Sequence, residues 1–197
     1  MQTYIPVLTG IGPLLTTSDD IQIIIRGCLE NNRKAQEELY RRFFPVMMPI
    51  CMRYVRDRND AFELLNDAFL KVFKHLATYD LSKALFHTWM KTIVINTAID
   101  RLRRQNGARE YEKLSDQQEG PGIENEALSK MSGDELLNLI RQLPVTTRLV
   151  FNLYGIDGYS HREIASVLGI SEGTSRWHLS DARRQLKGII HSIETST

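Results

Sequence analysis

Side chains with reactive chemistry are sparse in this chain. The five histidines (His75, His87, His161, His178, His191) and two cysteines (Cys28, Cys51) lie scattered along it. No Cys/His cluster has zinc spacing, no glycine loop is built to cradle phosphate, and no nucleophile constellation is present, so the sequence does not read as an enzyme and implies no metal, cofactor or small-molecule substrate. What the residues offer is the chemistry of recognition. Trp89, Asn96 and Asp100 share one helical run that ends in Arg101, Arg103 and Arg104, with Arg109 beyond. Arginines crowded near an aromatic-bearing segment suit a phosphate backbone, whereas cations meeting the dipole of their own helix account for only one or two of the four. A second group lies near the C-terminus: Ser160, His161, Arg162, Ser171, Thr174, Arg176, Trp177, His178, Ser180, Asp181 and Arg183.

The elements that must position this second group are legible from local signals. Ser160 with Glu163 three residues on forms a capping box, and Ile164, Ala165, Val167 and Leu168 supply an apolar face. Gly169 suits a left-handed helix end. Ser171 then caps a second helix with Trp177, Leu179, Ala182 and Leu186 inward and Arg176, His178, Ser180, Asp181, Arg183 and Arg184 outward. Small Ala165, four residues before Gly169, lets two crossing helices approach. Helix, tight turn, helix is the arrangement that lays a second helix in a DNA major groove.

The remainder reads as all-α. Ser18 begins a helix to about Glu30, and Asn31 or Asn32 caps another to about Val55, with Pro45 as its kink or weakest point. Asp60 to Leu76 steps its apolar residues by three and four. Its opposite face carries Asp60, Glu63, Asn66 and Asp67, with Asp67 and Lys71 as a supportive pair. By residue type alone that face is simply solvated. Leu85 to Gln105 is a long helix or a helix pair. From Gly107 the character turns acidic and glycine-containing with no apolar stripe, which marks a linker. Helix resumes by about Asp134, and Thr146 caps the next one. The segments are thus an arm (1–18), a helical domain (19–106), a flexible acidic linker (107–131), a second helical domain (132–188) and a tail (189–197).

Composition bounds the partners. A net charge of +1 over 197 residues gives no global basic field, so DNA binding must rest on local patches. The cysteines read as reduced and buried, as in a cytoplasmic protein. The apolar N-terminus lacks a basic start and is interrupted by Pro6, Gly10, Gly12 and Pro13, which argues against a signal peptide or a membrane insertion.

Taken together, three blocks resemble the extracytoplasmic-function (ECF) sigma factors of bacterial RNA polymerase: Asp60 to Phe73, Phe86 to Arg104, and Leu143-Pro144 through Gly173-Thr174 to Arg183. The resemblance implies two helical domains, a core RNA polymerase partner, and both double-stranded and melted promoter DNA as ligands. It assigns polymerase binding to Asn66 and Asp67 with Asp60 and Glu63 in support. It assigns recognition and melting of the downstream (−10) element to Trp89, Asn96 and Asp100, with Arg101, Arg103 and Arg104 on phosphates. The helix-turn-helix residues named above are assigned to the upstream (−35) element. An anti-sigma factor wedged between the domains is a further implied partner. The chain departs from the pattern at Trp177, where the family usually has a small serine, and at His178 and Asp181, where it often has arginine. Weak, altered upstream recognition is therefore expected. The competing reading is a helix-turn-helix regulator that binds operator DNA without loading polymerase.

Overall fold

The computed structural model describes residues 18–55, 57–106 and 133–194. The expected arm up to residue 17, the whole linker (Arg109 included) and the end of the tail lie outside the described residues. All regular structure among the described residues is helical, and they divide into two compact units at Gln105/Asn106.

In the N-terminal unit, α1 (Ser18–Leu29) packs on α2 (Arg33–Tyr54), which packs on α3 (Arg58–His75). A short 3-10 turn at Leu76–Thr78 precedes α4 (Phe86–Asn106). Asn31 takes up a positive φ of 57° between α1 and α2, a conformation asparagine tolerates. Asn32 then caps α2, its Oδ1 accepting from the backbone N–H groups of Lys34 (3.0 Å) and Ala35 (3.3 Å). The helix continues through Pro45 and Pro49, both on its exposed side, where water can satisfy the freed carbonyls. Helix α3 starts earlier than the spacing implied: extended Asp57 is the cap, its carboxylate accepting from the Asp60 N–H at 2.8 Å. Leu39, Phe43, Met47, Cys51 and Tyr54 of α2 and Ala61, Leu64, Leu65, Ala68 and Val72 of α3 are core residues, joined by Phe86, Met90, Val94, Ala98 and Ile99 of α4. Cys28 and Cys51 are free and buried, and burial pushes their thiols up to about 11 and about 12, so both stay protonated.

Gly27 permits the close α1–α2 approach. A Cβ built there would lie 2.7 Å from Ala35 Cβ, an atom with no rotamer to move away. Gly27→Ala gains up to about 1 kcal/mol of helix propensity but forces the helices apart, at a cost of about 1–3 kcal/mol. A net loss of roughly 1 kcal/mol in urea unfolding is expected.

The C-terminal unit comprises α5 (Gly133–Gln142), α6 (Val145–Phe151) running into a π turn at Asn152–Ile156, α7 (His161–Leu168) and α8 (Glu172–Glu194). Thr146 does not cap α6. Pro144 holds the cap position, its carbonyl accepting from the Arg148 N–H at 2.8 Å, and Thr146 is buried in the first turn. Helix α8 continues to Glu194, so the stretch taken as a tail is helical over its described part. It packs chiefly on α6, with further contact to α7 and α5.

Candidate polymerase and DNA interfaces

On α3 the predicted polar face separates into two parts. Asn66 and Asp67 are exposed, and Asn66 is oriented by Tyr40, whose hydroxyl donates to its Oδ1 at 3.0 Å. Beside them stands Leu70, 69% exposed, an apolar residue the sequence reading passed over. Its signal was there: it falls on the polar side of the stripe, with Asn66 one turn before it. Asp60 and Glu63 behave differently. Both accept from Arg101 Nη2, each at 2.8 Å.

That contact occupies Arg101, which the resemblance assigns to phosphate. Its side chain is only 16% exposed and is held between two carboxylates of α3, so it ties α3 to α4. The Glu63 hydrogen bond above all, with the charges of Asp60, Glu63 and Asp67 behind it, holds it more firmly protonated against the opposing effect of burial. Asp100 is likewise engaged, accepting from Lys71 Nζ at 3.1 Å. The Asp67–Lys71 pair expected within α3 gives way to this cross-helix pair. Neighbouring residues of α4 thus reach the acidic start and the basic end of α3.

The rest of α4 is arranged along a stripe. Trp89, Asn96 and Arg103 are seven residues apart, which puts them on one face two turns at a time. Trp89 is half-buried against Tyr79 and Phe86, with ring centroids 5.3 and 5.5 Å away. Phe86 in turn packs on Phe43 and Tyr79, so the indole rests on a fixed aromatic shelf. Asn96 is exposed, while its neighbour Thr97 is buried and donates to the Ile93 carbonyl at 2.7 Å. The polar pair in the apolar centre is therefore one outward and one satisfied inward residue. Arg103 and Arg104 are exposed at the helix end, Arg104 Nε donating to the Asp100 carbonyl at 3.2 Å.

In the C-terminal unit the capping box forms as read. The Glu163 N–H donates to Ser160 Oγ, and the Ser160 N–H donates to Glu163 Oε2 at 2.8 Å. Those Ser160 hydrogen bonds hold the Glu163 carboxyl below its usual range. Gly169 ends α7 at φ 70°, its N–H donating to the Ala165 carbonyl. Ser171 caps α8, accepting from the Thr174 N–H at 2.9 Å, and its hydroxyl bonds that of Thr174. His161 bonds buried Ser175 at 2.9 Å and stacks on Tyr154, which fixes the two helices of the motif relative to each other. Arg162 is exposed, and so is Arg176, paired with Glu172 at 3.0 Å. Trp177, Ser180 and Arg183 are half-buried on the flanks of that face.

His178 and Asp181 do not face outward. They are 5% and 6% exposed and turn toward α6, where His178 Nδ1 and Thr147 Oγ1 are hydrogen bonded at 3.0 Å. The Asp181 carboxylate accepts from Gln185 Nε2 at 2.7 Å and from Arg184. The apolar stripe of α8 is narrower than the arc its neighbours cover, so polar residues at its edge are buried as well. The expectation that His178 and Asp181 point outward is thus corrected: both are buried against α6.

Residues 39–108 match the family model for sigma-70 region 2 and residues 133–186 that for sigma-70 region 4, together more than half of the chain. The ECF RNA polymerase sigma factor SigE of Mycolicibacterium smegmatis is 27% identical over 81% of this chain, which spans 64% of that protein. The ECF RNA polymerase sigma-E factor of Escherichia coli is 28% identical over 87% of this chain and 95% of its own length. A solved structure of the sigma factor RpoE with the anti-sigma factor NepR from Bartonella quintana aligns at TM-score 0.49 and 18% identity, covering 79% of this chain and 96% of that one. The chain belongs to the sigma-70 family, in its ECF branch. It binds RNA polymerase and directs promoter recognition, and RNA synthesis itself is the polymerase's chemistry.

Proposed function

We propose that three surfaces of this chain divide the work of initiation. The exposed edge of α3 formed by Asn66, Asp67 and Leu70 docks on core polymerase, with Asp60 and Glu63 contributing through the carboxylate atoms that Arg101 leaves open. The α4 stripe reads and opens the downstream element: an unstacked base needs an aromatic to stack on and an amide to read its edge, which Trp89 and Asn96 supply, and Arg103 and Arg104 hold phosphates. The N-terminal half of α8 enters the upstream major groove, with Arg176 donating to a base, Trp177 and Ser180 beside it, Arg183 a turn later, and Ser160, His161, Arg162, Ser171 and Thr174 toward the backbone. The observation that carries this reading is the α4 stripe, where an exposed amide lies on the same face as a half-buried tryptophan and the helix ends in exposed arginines.

Two accompanying proposals follow from family membership. The protein works where the polymerase is, in the cytoplasm; none of its described helices is long and apolar enough to cross a membrane. An anti-sigma factor holds it inactive by competing for the same exposed faces. Purified protein added to core polymerase with randomised promoter DNA should yield promoter-specific start sites. Operator-like binding without any such starts would overturn the proposal in favour of a regulator that does not load polymerase. Within the same assay, Arg176→Ala should lose about 5- to 150-fold in preference at one upstream base pair, the worth of a bidentate arginine–guanine contact. Unchanged upstream preference would remove Arg176 from the readout.

A further inference from the structure

The buried polar cluster between α6 and α8 is the part of the helix-turn-helix unit that DNA contact leaves unexplained. Thr147 on α6 is 2% exposed and sits opposite His178 and Asp181, which are one turn apart on α8. His178 Nδ1 lies 3.0 Å from Thr147 Oγ1, and the hydroxyl donates onward to Asp181 Oδ2 at 3.5 Å. Taken in that direction, the imidazole N–H donates to the hydroxyl and the hydroxyl to the carboxylate, so each group has one role. Gln185 closes the same carboxylate oxygen at 2.7 Å, and Arg184 pairs with the other. Burial lowers the His178 imidazole to about 4, outweighing the opposite pull of Asp181, so it is neutral and fit for this chain of bonds.

These bonds differ in kind from the other α6–α8 contacts. Leu179, Ala182 and Leu186 bury apolar surface, which resists separation of the helices but is non-directional. Hydrogen bonds weaken steeply with misalignment. A rotation of α8 by about 30° would carry a side-chain tip roughly 6 Å from the axis through about 3 Å, the length of a base contact. The apolar contacts tolerate such a slip better than the polar ones do.

We propose that Thr147, His178 and Asp181 are positioning residues for upstream promoter readout: they lock the rotation of α8 against α6 and so decide which bases Arg176 and Trp177 face. The inference rests on the proposed role of α8 as the upstream reader. It also gives the chain's departures at His178 and Asp181 a purpose. Groups that would otherwise meet DNA are turned inward, and Asp181 holds the head of exposed Arg184 at the edge of the helix.

The test uses the full chain with core polymerase, a constant downstream element and a randomised upstream element. Thr147→Val keeps the shape and removes the hydroxyl. It should change the selected upstream sequence, with the preference for the wild-type optimum over its competitors falling at least roughly fivefold. Thr147→Ser, which restores the hydroxyl, should return the wild-type selection. Asp181→Asn, read in the same way, guards against a Thr147→Val protein that folds poorly. A purely structural role would lower upstream binding for all sequences alike and leave their ranking intact, and that result overturns the proposal. Wild-type protein that selects no upstream sequence would overturn the upstream-reader assignment together with the latch. Wild type and Thr147→Val selecting the same sequence would overturn the latch alone.

Discussion

Asp67→Lys is expected to weaken binding to core polymerase by about 100-fold and to abolish promoter-specific initiation while the fold stays intact. Asp67 is exposed on α3, and its tie to the fold is a charge attraction to Arg101, which Asp60 and Glu63 already hold by hydrogen bonds. Surface changes of that kind usually shift stability by no more than about 0.5 kcal/mol. At an interface the effect is different in scale. A like-charge juxtaposition costs several kcal/mol, and about 2.7 kcal/mol is already a factor of roughly 100 in affinity. Asp20→Lys on α1 makes the same charge change at an exposed site on another helix, so it controls for net charge. Leu70→Ala should weaken docking too, because the side chain is 69% exposed in the free protein and has apolar surface to bury only against a partner. The measurement is core affinity by fluorescence anisotropy alongside circular dichroism. Asp67→Lys that binds core as well as wild type would dismiss this edge as the docking surface.

Acidification is expected to destabilise the C-terminal unit between pH 6.5 and about 4. The imidazole of His178 falls from its ordinary 6.5 to about 4 because burial disfavours its charged form. The folded state therefore binds fewer protons than the unfolded state throughout that interval, and stability rises with pH across it. The contribution is complete above 6.5 and is lost as pH falls toward the folded value, at about 1.4 kcal/mol per pH unit and roughly 3 kcal/mol in all. Trp177 lies in this unit and Trp89 in the other, so fluorescence-detected urea unfolding in a Trp89→Phe background follows the right half. Between pH 6.5 and 5 the midpoint should drop in wild type and stay nearly level in His178→Leu. The capping carboxylate of Glu163 is held below its ordinary 4.5, so its contribution is lost only as pH falls under that value. A pH-independent midpoint in wild type would mean that His178 is not kept neutral by the fold.

The local devices of this fold were readable because each is completed within four residues of chain. Asn32 and Ser160 as caps, the Glu163 capping box, Gly169 in its left-handed turn and Ser171 opening α8 all form between near neighbours, whose geometry the backbone supplies once a helix exists. Helical period likewise separated Asn66 and Asp67 from the buried side of α3. Errors at helix starts have an equally local cause: Asp57 and Pro144 were better entry residues than Asp60 and Thr146.

What one helix does with its charges when a second arrives was not readable, and there the candidate site changed most. Arg101 was assigned to phosphate from its neighbours in sequence, yet its partners Asp60 and Glu63 lie about forty positions away, across a helix crossing. Lys71 had a suitable acid one turn away and pairs instead with Asp100. His178 and Asp181 sit beside the apolar stripe of α8, and only the combined cover of α5, α6 and α7 widens the buried arc enough to take them in. By itself the sequence determined the helices, the helix-turn-helix and the family, since periodicity and capping act over one or two turns. The tertiary structure alone decided which charged residues stay exposed and which are paired, because long side chains pair with whatever packing brings within reach.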